Sequence, residues 1–235
     1  MGVFKLAIDG PAGSGKSTIS SKVAFELGWT HIDTGAMYRA VTLQALRLKI
    51  DLTDEKSYSF LESTRILYSQ DKIYLNDEDV TDKIRSDEVN ASVSLVSSFP
   101  YVRKKLVHLQ RKAFNTNVVM DGRDIGTTVL PNADLKIFLT ANVEERTKRR
   151  YNEELVKGKN PIMINVEKDL LSRDKKDSTR SESPLKIAED AIVLDTTYLT
   201  IDGVVKKIIW LIEQEEKKRW KNMIFMTLIW ELDKL

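Results

Sequence analysis

The chain has 235 residues, 42% hydrophobic and 31% charged, enough apolar material for one sizeable α/β core. A near balance of 37 basic and 35 acidic side chains gives no footprint for general nucleic-acid binding. The absence of cysteine excludes disulfides and thiolate metal sites, and two histidines far apart in sequence, His31 and His108, exclude a histidine-rich one.

In chain order, the apolar run Val3 to Ile8 predicts a buried first strand. A glycine loop follows, and Ser17 to Leu27 has helical spacing with Gly28 as its stop. The loop itself, Gly10-Pro11-Ala12-Gly13-Ser14-Gly15-Lys16-Ser17, fits G-x-x-x-x-G-K-[ST] in full, with a strand before and a helix after. Its glycines let backbone N–H groups turn inward toward phosphate, at the positive end of the coming helix. Lys16 is placed to reach the β- and γ-phosphates and the Ser17 hydroxyl to ligate Mg²⁺, with Thr18 completing the nucleotide-binding stretch. The pattern implies a nucleoside triphosphate and magnesium but does not name the acceptor. Asp9, just before the loop, is read as a residue that orients the loop or hydrogen-bonds locally, with no catalytic role.

Trp29 to Ile32 reads as a second strand and Ala36 to Leu48 as a helix. Residues 64–84 change texture: short β-like pieces separated by polar turns predict a small antiparallel insertion. Ser86 to Ser98 and Tyr101 to Phe114 look helical, broken at Pro100. Residues 117–120 and 135–139 read as core strands. The first ends in Asp121, a Walker-B-like position for a carboxylate that helps hold magnesium. It continues as Asp121-Gly122-Arg123-Asp124-Ile125-Gly126-Thr127, a pliable, charged turn beyond the carboxyl end of a strand, where open α/β sheets bind ligands.

Asn142 with Glu145 resembles a capping box for a helix to about Lys157. Asn165 is read as the cap of the next helix, to about Asp177. A last strand (191–194) and a last helix (201–218) follow. Arg146, Arg149 and Arg150 share a helix face, as do Arg173, Asp177 and Arg180. With the loop 158–164 between them, these two helices read as a flap that neutralises the triphosphate and excludes water. Alternating strands and helices argue for an α/β fold with a mostly parallel sheet covered on both faces.

Four segments together resemble bacterial cytidylate kinases: the glycine loop, Asp33-Thr34-Gly35-Ala36-Met37-Tyr38-Arg39, Phe99-Pro-Tyr-Val-Arg103 and Asp-Gly-Arg-Asp-Ile-Gly-Thr, the last being the most specific. The match covers about residues 3–219. The resemblance implies a P-loop sheet flanked by helices, with the β insertion in a monophosphate-binding region (about 36–114) and a helical lid (about 146–180). The core would take about 1–35, 115–145 and 190–219. It also implies transfer of the ATP γ-phosphate to CMP or dCMP. By position, Arg39 and Arg123 would grip the acceptor phosphate. Ser94, Arg103, Asp124 and Arg180 would surround the cytosine, with Tyr38 lining that pocket. Arg173 and Asp177 would meet the ribose, Thr34 would keep a hydroxyl near the acceptor, and Arg146 and Arg150 would act with Lys16 and Arg123 on the transferring group.

Two other readings stay open at this point: a P-loop kinase for another small acceptor, and a nucleotide-dependent module without transfer activity. No apolar stretch reaches the roughly 20 residues of a membrane span, and no leader pattern precedes the first strand. A monomer in the cytoplasm is expected, with no nucleic-acid partner. His31 and His108 are read as structural or surface residues. Trp210, Trp220 and Trp230 are read as a helical packing pattern. Residues 220–235 form an apolar tail outside the resemblance, expected to pack on its own domain.

Overall fold

The computed structural model describes residues 2–69 and 71–232, with side chains described through Ile224. It divides into two units, residues 1–198 and 199–235.

The first unit is built on five parallel strands. They are β1 (Lys5–Asp9), β2 (Thr30–Asp33), β6 (Val118–Gly122), β7 (Leu135–Thr140) and β8 (Ile192–Asp195), in the order β2-β6-β1-β7-β8. The central strand β1 lies between β6 and β7, and Leu6, Ala7 and Ile8 are wholly buried. An uninterrupted apolar run is what a strand covered on both faces requires. This register places the ends of β1 and β6 side by side, with Asp9 opposite Gly122 and Ile8 opposite Asp121. The glycine loop and the Asp121–Thr127 turn therefore leave the sheet at the same edge.

Helices α1 (Lys16–Leu27), α2 (Thr34–Arg47), α3 (Asp87–Val96), α4 (Pro100–Lys112), α5 (Val143–Val156) and α6 (Met163–Thr179) complete this unit. The expected insertion is present as an antiparallel sheet of β3 (Ile66–Ser69), β4 (Lys72–Leu75) and β5 (Glu78–Asp79). Ile73, Leu75 and Val80 join Met37, Val41, Tyr58, Val93 and Leu106 in one buried cluster. The insertion is thus anchored to α2 rather than hanging from it.

Several boundaries differ from the sequence reading for identifiable reasons. The helix expected from Ala36 begins at Thr34, because the Asp33 carboxylate caps it by accepting from the Ala36 N–H at 3.1 Å. Pro100 opens α4 as its first residue, where a missing N–H costs nothing. Asn165 does not cap α6; Ile162 holds that place without a side-chain cap. Docking of Val166 and Leu170 against Ala12 sets the start of α6 instead. The 3₁₀ segment Glu55–Glu62 and a π-turn at Ile125–Val129 have no counterpart in the sequence reading.

The Asn142 cap forms as expected, its Oδ1 accepting from the Glu145 N–H at 2.7 Å. Asn142→Ala should lower unfolding free energy by about 1 kcal/mol, measured by urea denaturation with an unchanged m-value.

The second unit is α7 (Ile201–Leu232), one helix that continues past the expected end at 218. Trp210 and Trp220 are 56% and 52% exposed, so the expected packing role does not hold for them. Trp230 and the rest of the apolar tail beyond 224 lie outside the residues whose side chains are described. Among the described residues no helix is long and apolar enough to cross a membrane.

Candidate active site

The glycine loop leaves β1 at Gly10, whose φ is +155° and where a Cβ would sit 2.0 Å from the Leu139 carbonyl oxygen. No other residue fits there without moving β7. Gly15 in the left-handed region turns the chain into α1, so the helix N-terminus and the loop amides converge. Lys16 folds over the loop, donating from Nζ to the Pro11 carbonyl at 2.8 Å and lying 3.3 Å from Ser14 Oγ. Burial, then the positive charge of Arg123, depress its pKa well below the usual lysine value. A bound polyphosphate would relieve both effects.

Ser17 presents an exposed hydroxyl, which donates to Oδ2 of the buried Asp121 at 2.9 Å. Two residues 104 apart in sequence thus meet as hard oxygen donors. Asp121 is held by more than Ser17. Its backbone carbonyl accepts from the Thr34 hydroxyl at 2.8 Å, and its Oδ1 lies 2.8 Å from His31 Nε2. Hydrogen bonds and charge from Asp121 and Asp71 outweigh burial and raise His31 to about 9. His31 therefore sits between two carboxylates, one of them the Asp121 that also meets Ser17. The sequence reading left it as a structural residue; its only signal was its place two residues before Asp33 on a strand leading into the site.

Asp9 locks the two loops together, its oxygens accepting from the N–H groups of Ile125 and Gly126 at 2.8 and 2.7 Å. The π-turn, with Val129 and Leu130 bonding five residues back to Asp124 and Ile125, makes room for this arrangement. Burial raises Asp9 from 3.8 to about 6, with the two backbone donors opposing. For an acid whose folded pKa is raised, stability is fully present below pH 3.8 and is lost as pH rises through about 6. Asp9→Asn should flatten that slope: between pH 4 and 7.5 the wild type should lose up to about 2.4 kcal/mol relative to the variant. Parallel slopes in urea titrations would contradict this.

Beyond the loop lies a cavity of about 510 Å³ whose lining includes Gly13, Asn90, Ser94, Arg123, Arg150 and Arg173. Its cations are crowded. Burial, then Arg173 and Arg85, bring Arg39 down to about 9, and burial, then Arg123, bring Arg173 to about 10. Arg39 donates to Asn90 Oδ1 and, at 3.4 Å, to the Ile84 carbonyl. Arg123 pairs through Nε with Asp177 Oδ2 at 2.8 Å and also donates to the Gly10 carbonyl. Arg123, Arg150 and Arg173 thus face one void beside the phosphate loop, which Asp87, Glu153, Glu154 and Asp169 line as well.

Next in sequence to Arg123, Asp124 is buried between two guanidiniums, Arg103 at 2.5 Å and Arg180 at 3.4 Å. Arg103 sits 5.3 Å from the Tyr38 ring centroid, a cation–π arrangement. Arg180 also donates to the Ser183 carbonyl at 2.6 Å, and Asp177 lies 3.7 Å from it. Thus Tyr38, Arg103, Asp124, Asp177 and Arg180, drawn from α2, α4, the β6 turn, α6 and the residue just past its end, are brought together.

The arginines of α5 take three different places. Arg150 lines the cavity while paired with Glu154 at 2.9 Å and Glu153 at 3.1 Å. Arg149 turns to Thr196, donating to its carbonyl at 2.7 Å, and pairs with Glu145 at 2.9 Å. Arg146 is buried against the glycine loop, donating to the Ala12 carbonyl at 2.8 Å and pairing with Asp174. Asp174 in turn accepts from the Ala12 N–H at 2.8 Å, a contact the sequence reading missed. The exposed pair Lys159–Asp87 joins the loop between α5 and α6 to the start of α3, across the cavity. His108 is exposed, as a surface residue.

A parallel sheet with this glycine loop, its lysine and a charged cavity beside it defines a P-loop phosphotransferase. The sequence comparisons narrow the class. The family model for cytidylate kinase matches residues 6–214. The cytidylate kinase of Acholeplasma laidlawii is 58% identical over 214 residues, covering 91% of this chain and 96% of that protein. That of Halalkalibacterium halodurans is 51% identical over 217 residues, covering 90% and 98%. The chain belongs to the cytidylate kinase family.

Proposed function

We propose that the protein transfers the γ-phosphate of ATP to CMP or dCMP, giving CDP or dCDP and ADP. The observation that carries the acceptor is the buried Arg103–Asp124–Arg180 group. Cytosine offers an amino donor at N4 beside acceptors at N3 and O2. A carboxylate flanked by guanidiniums complements that edge, whereas the O4 carbonyl of uracil would face the carboxylate unfavourably. Ser94 on the cavity wall supplies a further polar partner.

The acceptor phosphate is already an anionic nucleophile, so the reaction needs positioning and charge stabilisation more than a general base. Arg39 and Arg123 hold that phosphate, and Arg173 with Asp177 meets the ribose. Lys16 and Arg150 face the transferring group, while Arg146 serves it by fixing the loop at Ala12. The amides from Gly13 to Thr18 take the donor phosphates. Closure of the α5–α6 flap removes water, the competing acceptor.

Magnesium fits the donors present. Ser17 and Asp121 provide two hard oxygens, and no group of three or more His, Asp or Glu forms a metal cage among the described residues. That sparse set suits Mg²⁺, which keeps waters and substrate phosphates as its remaining ligands. When bound it would neutralise charge on the β- and γ-phosphates. A monomer in the cytoplasm completes the reading.

A coupled assay of ADP formation with ATP–Mg²⁺ and, separately, CMP, dCMP, UMP, AMP and GMP tests it. Strong preference for the cytidine acceptors is expected. Turnover with another acceptor alone would keep the phosphotransferase and remove the cytosine assignment.

A further inference from the structure

His31 joins three distant parts of the chain and has no part in the reaction outlined above. It comes from β2, Asp121 from the end of β6 and Asp71 from the turn between β3 and β4. Both ring nitrogens are engaged: Nε2 lies 2.8 Å from Asp121 Oδ1 and Nδ1 lies 2.8 Å from Asp71 Oδ1. The two carboxylates differ in setting, with side-chain exposures of 3% for Asp121 and 61% for Asp71. Tyr68 stands edge-on to the imidazole at 6.1 Å, and its hydroxyl donates to the same Asp71 oxygen at 3.3 Å. The ring cannot turn without losing both bonds and this contact.

The consequence falls on the other oxygen of Asp121. A carboxylate is planar, so holding Oδ1 sets the direction of Oδ2, the atom that meets the Ser17 hydroxyl at 2.9 Å. A histidine oriented by one carboxylate and bonded to another behaves as an outer partner of a metal ligand, a place where substitution typically changes metal affinity 10–100-fold. We infer that His31 is a positioning residue for the magnesium-facing carboxylate of Asp121, anchored by Asp71 from the β insertion. This rests on the assignment of Ser17 and Asp121 to magnesium. It gives the insertion, which otherwise belongs to the acceptor side, a direct mechanical link to the donor side.

The test uses the full chain with Mn²⁺ as probe. Mn²⁺ affinity of the enzyme–ATP complex is read by EPR from loss of the free-ion signal, with enzyme in excess over ATP, and CMP affinity is measured in parallel. His31→Gln should weaken Mn²⁺ binding about 10-fold or more while leaving CMP affinity within about twofold. Asp71→Asn, on an exposed turn, should show the same selective loss to a smaller degree, and it decides the matter if His31→Gln does not fold. Mn²⁺ affinity within twofold of wild type in these variants, with Asp121→Asn losing it, overturns the inference and leaves the metal assignment standing. An unchanged Asp121→Asn overturns both. Equal loss of Mn²⁺ and CMP affinity would show a general structural role and overturn it as well.

Discussion

Lys16→Ala should lower kcat by at least about 10²–10³-fold, the usual effect of removing one preorganised donor from a transferring group. Fold and stability should hold, because the Nζ contacts are confined to the loop itself, Pro11 at 2.8 Å and Ser14 at 3.3 Å. The present lysine is held among like charges, with burial and Arg123 both opposing its proton. Its interaction with polyphosphate is therefore largest when negative charge accumulates between donor and acceptor. Single-turnover rates with saturating ATP and CMP measure this directly. Full turnover in the variant would remove the assignment of the loop.

Asp124→Ala should produce the second large effect, and on two quantities together. Removing the carboxylate leaves Arg103 and Arg180 facing each other in a buried site, a loss of about 3–5 kcal/mol when one partner of a buried pair is taken away. Acceptor use should fall with it: kcat/KM for CMP should drop about 10–100-fold or more, from the lost bond to N4 and the unpaired guanidiniums. ATP affinity should remain close to wild type, since Asp124 lies at the acceptor end. Arg180→Ala isolates the recognition part, and CMP use should suffer far more than ATP binding. Equal loss of both substrates in binding assays would refute the role given to this group.

Much of the fold was legible because its signals are local. The strand before Gly10, the loop motif and the helix after it lie within about 25 residues, and each obeys a short-range rule of period, turn or cap. The antiparallel insertion at 66–79 and the Asn142 cap were readable for the same reason. Boundaries shifted where a local cap went unread or a distant contact decided them. Thr34 entered α2 through the Asp33 cap, and α6 started where Val166 and Leu170 found Ala12.

The site divides along the same line. The amino-acid sequence alone determined which groups are present: a phosphate loop, a lysine, a Ser and an Asp proposed to face magnesium, and several arginines with Asp124 and Asp177. Helical spacing placed Arg173 and Asp177 together on α6, whereas Arg180 is the extended C-cap beyond the helix and still comes within 3.7 Å of Asp177. Spacing predicted the same for Arg146, Arg149 and Arg150, yet these have three different sets of partners: Ala12 and Asp174, Thr196 and Glu145, and the cavity wall. A helix period states which way a side chain points but not what stands opposite. Tertiary structure decided that, and with it the roles of Asp9, His31 and Asp174. Each acts through partners more than 25 residues away: β1–β6 pairing sets the separation for Asp9, β2–β6 pairing for His31, and the seating of α6 on the glycine loop for Asp174. Hydrogen bonds reach about 3 Å, so only the assembled sheet could bring those atoms within range.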